Sequence, residues 1–371
     1  MVCFATPGSG LRLRCAKRVA MCSSAGGGQR FDLVTLGNVV VDVLVPMAGF
    51  PVVAGGHQDL RGGGVALSPG GASNALIVGS RLGMHTSAVD WLGEDAFGDF
   101  LLSKLSSLGV GTDGIERRPG QSLACVILVS ESGDHTFIAS NEKPTAQFDP
   151  HISSDSALKS LPSSFTSTIS NANALLVDGY ALDDLPFITL LGAIQLSQKH
   201  GCEFWFDPQA AAGTLRKTNK DLTEFLLSSS TGLVVTEDEL EAFTSQSSAS
   251  QVLGSYPNLK YCIVKQGSSG CQVAHRNEKD SALEQHSIQA FDIGDTYADS
   301  AGAGDSFIAG FITGLGKGLD LRECAILANA VGAATCMNSG AGENVADLSQ
   351  VMSILEQTSN GELLLRKLSH N

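Results

Sequence analysis

Short apolar segments alternate with longer segments of helical periodicity along most of the 371-residue chain. The apolar segments begin at residues 31–37 and recur at 174–177, 203–206, 232–235 and 261–264. Because they are apolar at nearly every position, they predict strands that are buried on both faces of a parallel sheet. The helical patterns between them predict crossover connections, which link consecutive parallel strands. We predict helices over residues 73–83, 95–108, 184–200, 220–228, 236–245, 306–317, 321–337 and 347–357.

Two stretches interrupt this alternation. Residues 43–68 contain several glycines and residues 121–140 alternate apolar with polar side chains, so both predict hairpin strands outside the main sheet. Residues 242–256 are rich in Ser and Gln and predict a surface loop. The predicted fold class is therefore α/β, with a mainly parallel central sheet and a small separate β-structure.

The charge balance narrows the classes of partner. The chain has 24 Lys and Arg against 38 Asp and Glu, which gives a net charge of −14. Such a chain is not expected to bind nucleic acid or an anionic membrane as its main activity. No apolar run reaches the roughly 18 residues of a membrane span, and the nine cysteines include no C-x-x-C pair. An anionic ligand must then be met locally, by backbone amides, a helix terminus or a metal ion.

The first 30 residues differ from the rest in composition. They contain no Asp or Glu, carry five basic residues and end in a Ser/Gly-rich stretch. This composition predicts an organelle transit peptide over residues 1–30, with the chloroplast as first choice and the mitochondrion or cytoplasm as alternatives. A disordered leader, or an upstream extension with Met21 as the true start, is the other interpretation. Residues 31–357 then form the predicted domain, and residues 358–371 a C-terminal tail.

The clearest chemical signal lies in residues 299–307, D-S-A-G-A-G-D-S-F, which precede an apolar helical stretch. Gly302, Ala303 and Gly304 let backbone N–H groups converge at a helix N-terminus, which predicts an anion hole. Asp305 lies at its mouth, where a carboxylate can take a proton from a substrate hydroxyl while the amides stabilise a transferring phosphoryl group. The pattern predicts a kinase. A tight strand-to-helix turn with Asp305 as helix cap is the alternative.

This run resembles the C-terminal signature of the PfkB (ribokinase-like) carbohydrate kinases, D-T-x-G-A-G-D-x-F, with Ser300 where Thr is usual. A second stretch, P-G-G-A-S-N-A at 69–75 followed by W-L-G-E-D-A-F-G at 91–98, is similar to the family's N-terminal signature. The resemblance spans about residues 31–355 and is closest to plant-type PfkB-family proteins of unassigned substrate. It implies a ribokinase-like three-layer α/β/α fold, in which the two hairpin stretches form a small β-strand lid over the sugar.

The resemblance also implies a substrate site. Asp42 follows the first predicted strand, and ligands of open α/β sheets bind at the carboxyl ends of strands. By resemblance, Asp42 accepts hydrogen bonds from two substrate hydroxyls, and Asn74 and the backbone of Gly70 and Gly71 hold the same substrate. The residues alone leave other interpretations open, namely a turn or cap for Asp42 and an ordinary helix-start residue for Asn74.

A magnesium site is implied by residues 236–239, T-E-D-E, which follow a predicted strand. They match the family's N-x-x-E motif except that Thr236 replaces Asn. The resemblance implies that Thr236 lies at the nucleotide site and that Glu239 organises hydrated Mg²⁺ near the phosphates. An exposed acidic first helical turn is the alternative, since helix N-termini favour Asp and Glu.

Two further segments resemble parts of the family's ATP site. Residues 265–270, K-Q-G-S-S-G, are similar to the T-x-G-x-x-G segment that passes under the triphosphate, which places Lys265 near phosphate and Gly267 and Gly270 in the turn. Asn329 aligns with the helix that contacts adenine. A simple hairpin turn and an amphipathic core helix with one polar residue are the alternatives.

Several family members bind a monovalent cation near the anion hole. The resemblance implies that K⁺ would bind at Asp299 and the loop 339–342 of this chain. Its role would be to set the geometry of the anion hole electrostatically.

We therefore predict an ATP- and Mg²⁺-dependent kinase that phosphorylates a hydroxymethyl group of a small sugar, with Asp305 as base. Fructose or another ketohexose and ribose-like pentoses are the leading substrates. Val40, where ribokinases usually carry Asn, and Tyr180, near the position of an acidic sugar contact, count against ribose itself. A nucleoside (adenosine-like) kinase and a catalytically inactive plastid scaffold are the alternatives, and a dehydrogenase is disfavoured because no G-x-G-x-x-G follows the first strand. An exposed lid sheet also predicts a homodimer surface.

Overall fold

The structure is a computed structural model that describes residues 30–49, 60, 64–130, 135–139, 146–277, 282–359, 361–362 and 364–365. The predicted transit peptide, apart from Arg30, lies outside the described residues. Parts of the two predicted hairpin stretches also lie outside them.

The predicted apolar segments form strands of one large sheet, and four further strands form a small one. In chain order the strands are β1 (Phe31–Leu36), β2 (Val39–Pro46), β3 (Ala66–Gly71), β4 (Thr86–Gly93), β5 (Val110–Arg118), β6 (Ala124–Val129), β7 (His135–Ala139), β8 (Ala172–Asp178), β9 (Glu203–Asp207), β10 (Gly232–Thr236), β11 (Tyr261–Lys265), β12 (Cys271–Arg276) and β13 (Leu283–Ile288). In the described residues the large sheet has nine strands in the order β13-β12-β11-β10-β9-β8-β1-β4-β5. Its neighbours are parallel from β5 to β11, whereas β12 and β13 form an antiparallel edge.

Helices cover both faces of the large sheet. They are α1 (Ser73–Arg81), α2 (Ala96–Ser107), α3 (Ser154–Ser160), α4 (Ser163–Ser170), α5 (Phe187–Lys199), α6 (Ala212–Thr218), α7 (Lys220–Ser229), α8 (Glu237–Thr244), α9 (Ala249–Ser255), α10 (Ala303–Gly316), α11 (Leu321–Cys336) and α12 (Leu348–Leu355). Successive strand residues point to opposite faces, so Leu33 of β1 joins a buried cluster with α1, α10 and α11, whereas Val34 joins one with α4, α5 and α7. Burial on both faces explains why these strands are apolar throughout. None of the helices in the described residues is long and apolar enough to cross a membrane.

The small sheet confirms the predicted β-structure outside the main sheet. Its strands run in the order β3-β2-β6-β7. β2 pairs parallel with β6 and antiparallel with β3, and β7 pairs antiparallel with β6. Leu67, Phe137 and Ile138 leave large apolar side chains of this sheet exposed.

The serine-rich parts of the chain contain more helix than predicted. The prediction of a surface loop at 242–256 is wrong. The helix α8 continues to Thr244 and α9 follows it, with Ala249, Val252 and Leu253 buried. Their spacing places these three side chains on one helical face, and packing of that face outweighs the weak helix propensity of the surrounding serines. Within the predicted C-terminal tail, Leu364 is buried against the core.

Candidate active site

The turn before α10 has the left-handed geometry that its glycine permits. Gly302 has a φ of 72°, which glycine adopts without steric penalty. A Cβ there would lie 3.2 Å from the Cβ of Ala341. The N–H of Ala303 donates to the carbonyl of Ser300 at 3.1 Å, whereas the N–H groups of a first helical turn have no acceptor within the helix. The amides of Gly304 and Asp305 are thus better placed to bind an anion than that of Ala303, because the predicted part of Ala303 in the hole competes with this hydrogen bond. The N–H of Ser306 already donates to the carbonyl of Gly302 at 2.9 Å.

Asp305 lies in the first turn of α10 and contacts two side-chain amides. Nδ2 of Asn74 donates to its Oδ2 at 2.9 Å, and Nε2 of Gln209 donates to its Oδ1 at 3.1 Å. Burial raises the pKa of Asp305 to about 6, against the lowering effect of the Asn74 hydrogen bond. The carboxyl group therefore combines a fixed orientation with a pKa near neutral pH, as a group that accepts and releases protons requires.

Asn74 links three parts of the site. It lies buried in the first turn of α1. Its Nδ2 reaches Asp305, and its Oδ1 accepts the backbone N–H of Gly342 at 2.8 Å. Because each end of the amide has a different partner, Asn74 fixes the carboxylate of Asp305 relative to the 339–342 loop. Its predicted contact with substrate stays a prediction.

Asp42 follows β1 as predicted, but it lies inside β2 of the small sheet, so the expectation that it lies at the carboxyl end of a parallel strand is wrong. β1 ends at Leu36, and the chain turns at Gly37 and Asn38, both with positive φ, before it enters β2. Positive φ at a residue other than glycine is uncommon and is enriched in asparagine. This sharp turn leads the chain from the large sheet into the small sheet, where Asp42 lies.

The environment of Asp42 is tight and poor in donors. A Cβ on Gly70 of β3 would lie 2.1 Å from Oδ2 of Asp42, so only glycine fits beside this carboxylate. Gly71 is similarly constrained, with a φ of 58° and a would-be Cβ 2.2 Å from the carbonyl oxygen of Asn38. Burial, and then the charge of Asp305, raises the pKa of Asp42 to about 7. No described residue donates a hydrogen bond to this carboxylate, which leaves its oxygens open to a ligand.

Two carboxylates that the sequence reasoning missed line the ends of neighbouring strands. Asp178 ends β8 and Asp207 ends β9, and the two are register partners. Nδ2 of Asn38 donates to Oδ2 of Asp178 at 2.7 Å. Burial raises the pKa of Asp178 to about 7 in spite of this hydrogen bond. The sequence could have identified both residues, since each directly follows a predicted apolar segment, at the strand end where ligands of open sheets bind.

Lys265 ends β11 and pairs with Asp207, with Nζ 2.7 Å from Oδ2. Burial lowers the pKa of Lys265, but the charges of Asp207 and Glu239 outweigh this effect and the pKa is raised. A Cβ on Gly304 would lie 3.4 Å from Nζ. The ammonium group is therefore next to the N-terminus of α10, which is compatible with the predicted contact between Lys265 and a phosphate.

Gln209 is a further residue that the sequence reasoning missed. It follows Pro208 and has a φ of 47°. Its backbone N–H donates to Oδ1 of Asp207 at 3.0 Å. Its side chain reaches Asp305. This strained turn after β9 therefore connects the carboxylates of Asp207 and Asp305 through one residue.

Thr236 and Glu239 form a capping box at the start of α8. Oγ1 of Thr236 accepts the N–H of Glu239 at 3.3 Å, and Oε2 of Glu239 accepts the N–H of Thr236 at 2.7 Å. This is the structural alternative that the acidic first turn left open. The other oxygen of Glu239 has no partner among the described residues, so the predicted role in holding hydrated Mg²⁺ stays compatible with the structure.

Gly270 and Asn329 both contact the chain near the end of β13. Gly267 and Gly270 have positive φ, and a Cβ on Gly270 would lie 2.0 Å from the carbonyl oxygen of Ile288. Nδ2 of Asn329 donates to that same carbonyl at 3.2 Å and to the carbonyl of Gln289 at 3.0 Å. These contacts give Asn329 a structural role within the protein, and its predicted contact with adenine stays a prediction.

Asp299 is already surrounded by donors. Its Oδ1 accepts the N–H of Ala301 and its Oδ2 accepts the N–H of Gly340, both at 2.9 Å. Nε2 of His135, from β7 of the small sheet, lies 3.2 Å from Oδ2. The predicted K⁺ at Asp299 and the loop 339–342 stays a prediction.

Comparisons with known proteins show what this chain is similar to. The profile of the pfkB family carbohydrate kinases matches residues 31–348. An uncharacterized sugar kinase of Archaeoglobus fulgidus is 29% identical over 279 residues, which cover 72% of this chain and 97% of that protein. The probable fructokinase-4 of Arabidopsis thaliana is 26% identical over 351 residues, which cover 90% and 99% of the two chains. An Escherichia coli protein named as a ribokinase II, solved with ATP and Mg²⁺, superposes with a TM-score of 0.72 at 20% identity over 88% of this chain and 99% of its own.

Proposed function

Since the chain belongs to the pfkB family of carbohydrate kinases, we propose that it transfers the γ-phosphoryl group of ATP to a hydroxymethyl group of a small sugar, with Asp305 as general base. The observation that carries the proposal is the setting of Asp305. Its carboxylate lies at the N-terminus of α10, is oriented by two amides, and has a pKa raised to about 6. Proton acceptor and phosphate-binding amides thus come from adjacent residues of one helical turn.

Different residues perform different parts of the proposed reaction. Asp305 accepts the proton of the sugar hydroxyl as its oxygen bonds to the γ-phosphorus and the bond to the β-phosphate oxygen breaks. The backbone N–H groups at the start of α10, Gly304 foremost, stabilise the charge on the transferring group. Lys265, held beside Gly304 by Asp207, adds positive charge on the nucleotide side. Asn74 and Gln209 keep the base in place.

Asp42 is proposed to bind the sugar. Its oxygens have no donor among the described residues, and the carboxylate lies directly beside Gly70. Hydrogen bonds from two sugar hydroxyls would satisfy this buried carboxylate. Because Asp42 is part of the small sheet, closure of that sheet over the sugar would also exclude water, which otherwise competes as phosphoryl acceptor.

The donor set on the nucleotide side fits magnesium. Glu239 keeps one carboxylate oxygen free of protein partners among the described residues, and hydrated Mg²⁺ is bound through few carboxylates and several waters. When bound with ATP, Mg²⁺ neutralises phosphate charge. Glu239 would hold a water of that ion, while Thr236 keeps the glutamate in place through the capping box.

A ketohexose such as fructose is the substrate that we propose first. The probable fructokinase-4 of Arabidopsis thaliana supports this choice because it matches most of the chain. Val40 and Tyr180 differ from the residues expected of a ribokinase, and Tyr180 is 45% exposed next to Asp178. We also propose that the chain is directed to the chloroplast by residues 1–30.

The substrate is tested by measuring ADP release from the full chain with ATP and Mg²⁺ across ketohexoses, aldopentoses and nucleosides, each with and without K⁺. We expect sugar-dependent ADP that is greatest with a ketohexose. Turnover with a nucleoside alone would replace the sugar by the alternative substrate class. ATP binding without turnover on any compound would contradict the proposal and favour a scaffold.

The homodimer also remains a proposal. Phe137 and Ile138 of the edge strand β7 are 61% and 54% exposed, and Leu67 of β3 is 39% exposed. Apolar side chains on a sheet edge that no described strand pairs with favour pairing with a second copy. Light scattering of the full chain and of Phe137→Lys should show a dimer that the substitution dissociates, whereas a monomeric full chain would contradict it.

A further inference from the structure

One face of the β12–β13 pair changes abruptly from apolar side chains to side chains of the types that can bind metal ions. Cys271, Val273 and Ile288 on this face are buried in the core. The same face continues with His275, His286 and Glu284, since His275 pairs with Glu284 and Val273 pairs with His286. Alternate residues of a strand share a face, so the register itself brings two imidazoles and one carboxylate together.

The spacing of these groups suits a shared cation. Nε2 of His275 lies 3.4 Å from Oε2 of Glu284. This is longer than the roughly 2.7–2.9 Å of a charge-assisted hydrogen bond. It is close to the distance of about 3.3 Å that separates two ligands of a tetrahedral ion with bonds of about 2.0–2.1 Å. The candidate ligand atoms of all three residues lie within 4.8 Å of one another.

The surroundings hold these side chains in place. Only 12% of the His275 side chain is exposed, and its ring lies nearly parallel to that of His286, with centroids 5.7 Å apart. Nδ2 of Asn277 donates to Oε1 of Glu284 at 2.7 Å. The second carboxylate oxygen, Oε2, thus remains on the side of His275, which is how outer-shell partners orient metal ligands.

We propose that His275, Glu284 and His286 form a binding site for a divalent transition-metal ion of the zinc class. Two imidazoles and a carboxylate are a ligand set that zinc accepts, with water as fourth ligand. The site would cross-link β12 to β13, the edge strand of the large sheet, and so hold the register of that edge. It lies apart from the candidate active site, because His275 pairs with Tyr261 at the start of β11 whereas Lys265 ends that strand. The inference therefore does not depend on the proposed function.

The test uses zinc as probe and no sugar or nucleotide. Calorimetric titration of the full chain with zinc, in excess Mg²⁺ to occupy other carboxylate sites, is compared with Glu284→Gln, His286→Gln and the exposed control His151→Gln. We expect each ligand substitution to weaken one zinc-binding event by about tenfold or more, and the control to leave it unchanged. Glu284 and His286 are chosen because they are more exposed than His275, so the variants should fold.

A second readout is the melting temperature, which zinc should raise in the full chain and in His151→Gln through binding to the folded state. The increase should be lost in the double variant Glu284→Gln/His286→Gln. The proposal is overturned if the full chain binds no zinc, or if the double variant binds zinc as tightly as the full chain does.

Discussion

Asp305 and Asp42 lie close enough for the charge of one to raise the pKa of the other, yet the two regions hold them differently. Asp305 belongs to the α/β body, where Asn74 and Gln209 each donate to one of its oxygens. Asp42 belongs to the small sheet, where no described residue donates to its carboxylate. A fixed orientation suits a proton acceptor, and open oxygens suit the binding of hydroxyls. The difference supports the proposal that the body supplies the chemistry and the small sheet supplies substrate recognition.

The largest effect is expected from a substitution in the α/β body, at Asp305. Asp305→Asn keeps the size of the side chain but removes the proton acceptor, so we expect kcat to fall by roughly 10²–10⁴-fold. ATP affinity should stay nearly unchanged. Steady-state kinetics and ATP titration measure both. The exposed Asp295→Asn is the matched control, and full activity in Asp305→Asn would remove this residue from the chemistry.

Asp42→Asn should instead act on the sugar. Hydrogen bonds to a charged group contribute about 1.5–3 kcal/mol, so we expect KM for the sugar to rise about 10- to 100-fold, with a smaller change in kcat. The same kinetic experiment gives both parameters. A loss confined to kcat would show that Asp42 takes part in the chemistry and would break the division between the two regions.

The same substitution should stabilise the protein at high pH. The folded-state pKa of Asp42, about 7, lies above its ordinary value of 3.8. The contribution of the protonated carboxyl to the free energy of unfolding is therefore fully present below about pH 4 and is lost as the pH rises through 7. Asp42→Asn does not ionise. We expect its free energy of unfolding to exceed that of the natural chain by on the order of 1–3 kcal/mol at pH 8. Urea unfolding at pH 8 and at pH 4 measures the difference, which should shrink at pH 4; a difference that is constant with pH would contradict the burial of a charge.

The smallest expected effect concerns the amides that hold the base. Gln209→Ala removes a hydrogen bond that lowers the pKa of Asp305, so the acid limb of kcat should move to higher pH. The rate itself should fall only about 2- to 10-fold, as expected for one hydrogen bond. The exposed Gln198→Ala serves as control. A lower rate with an unmoved acid limb would mean that Gln209 supports the turn without acting on Asp305.

The parts of the site that could be predicted are those whose residues are close in sequence. The glycine turn, the helix after it and Asp305 form one local motif, in which the dihedral angles and the helix terminus follow from the residue types. Five strands of the large sheet, β1, β8, β9, β10 and β11, were equally clear because burial on both faces leaves an apolar run, whereas β4, β5, β12 and β13 were not predicted. Asn74 was singled out through its motif, although its contact with Asp305 joins residues 231 positions apart.

What could not be predicted depends on long-range contacts and on packing. Gln209 reaches Asp305 across 96 positions, from a turn in which its own φ is positive. The start of the small sheet was predicted at residue 43, too late to include Asp42, because the reversal at Gly37 and Asn38 takes up so few residues. The helix α9 was missed because serines and glutamines mask three apolar positions, whose burial requires the neighbouring β11 and β12 to be in place.

The most direct test of Asp305 as proton acceptor is the pH dependence of phosphoryl transfer in a single turnover, with sugar and ATP saturating. Since the pKa of Asp305 is raised to about 6, we expect the rate to be level above neutral pH and to fall about tenfold per unit of pH well below 6. The residual rate of Asp305→Asn should lack this limb. A natural chain whose rate does not change from about pH 5 to 8, or an Asp305→Asn variant that retains the limb, would contradict the assignment of Asp305 as the base.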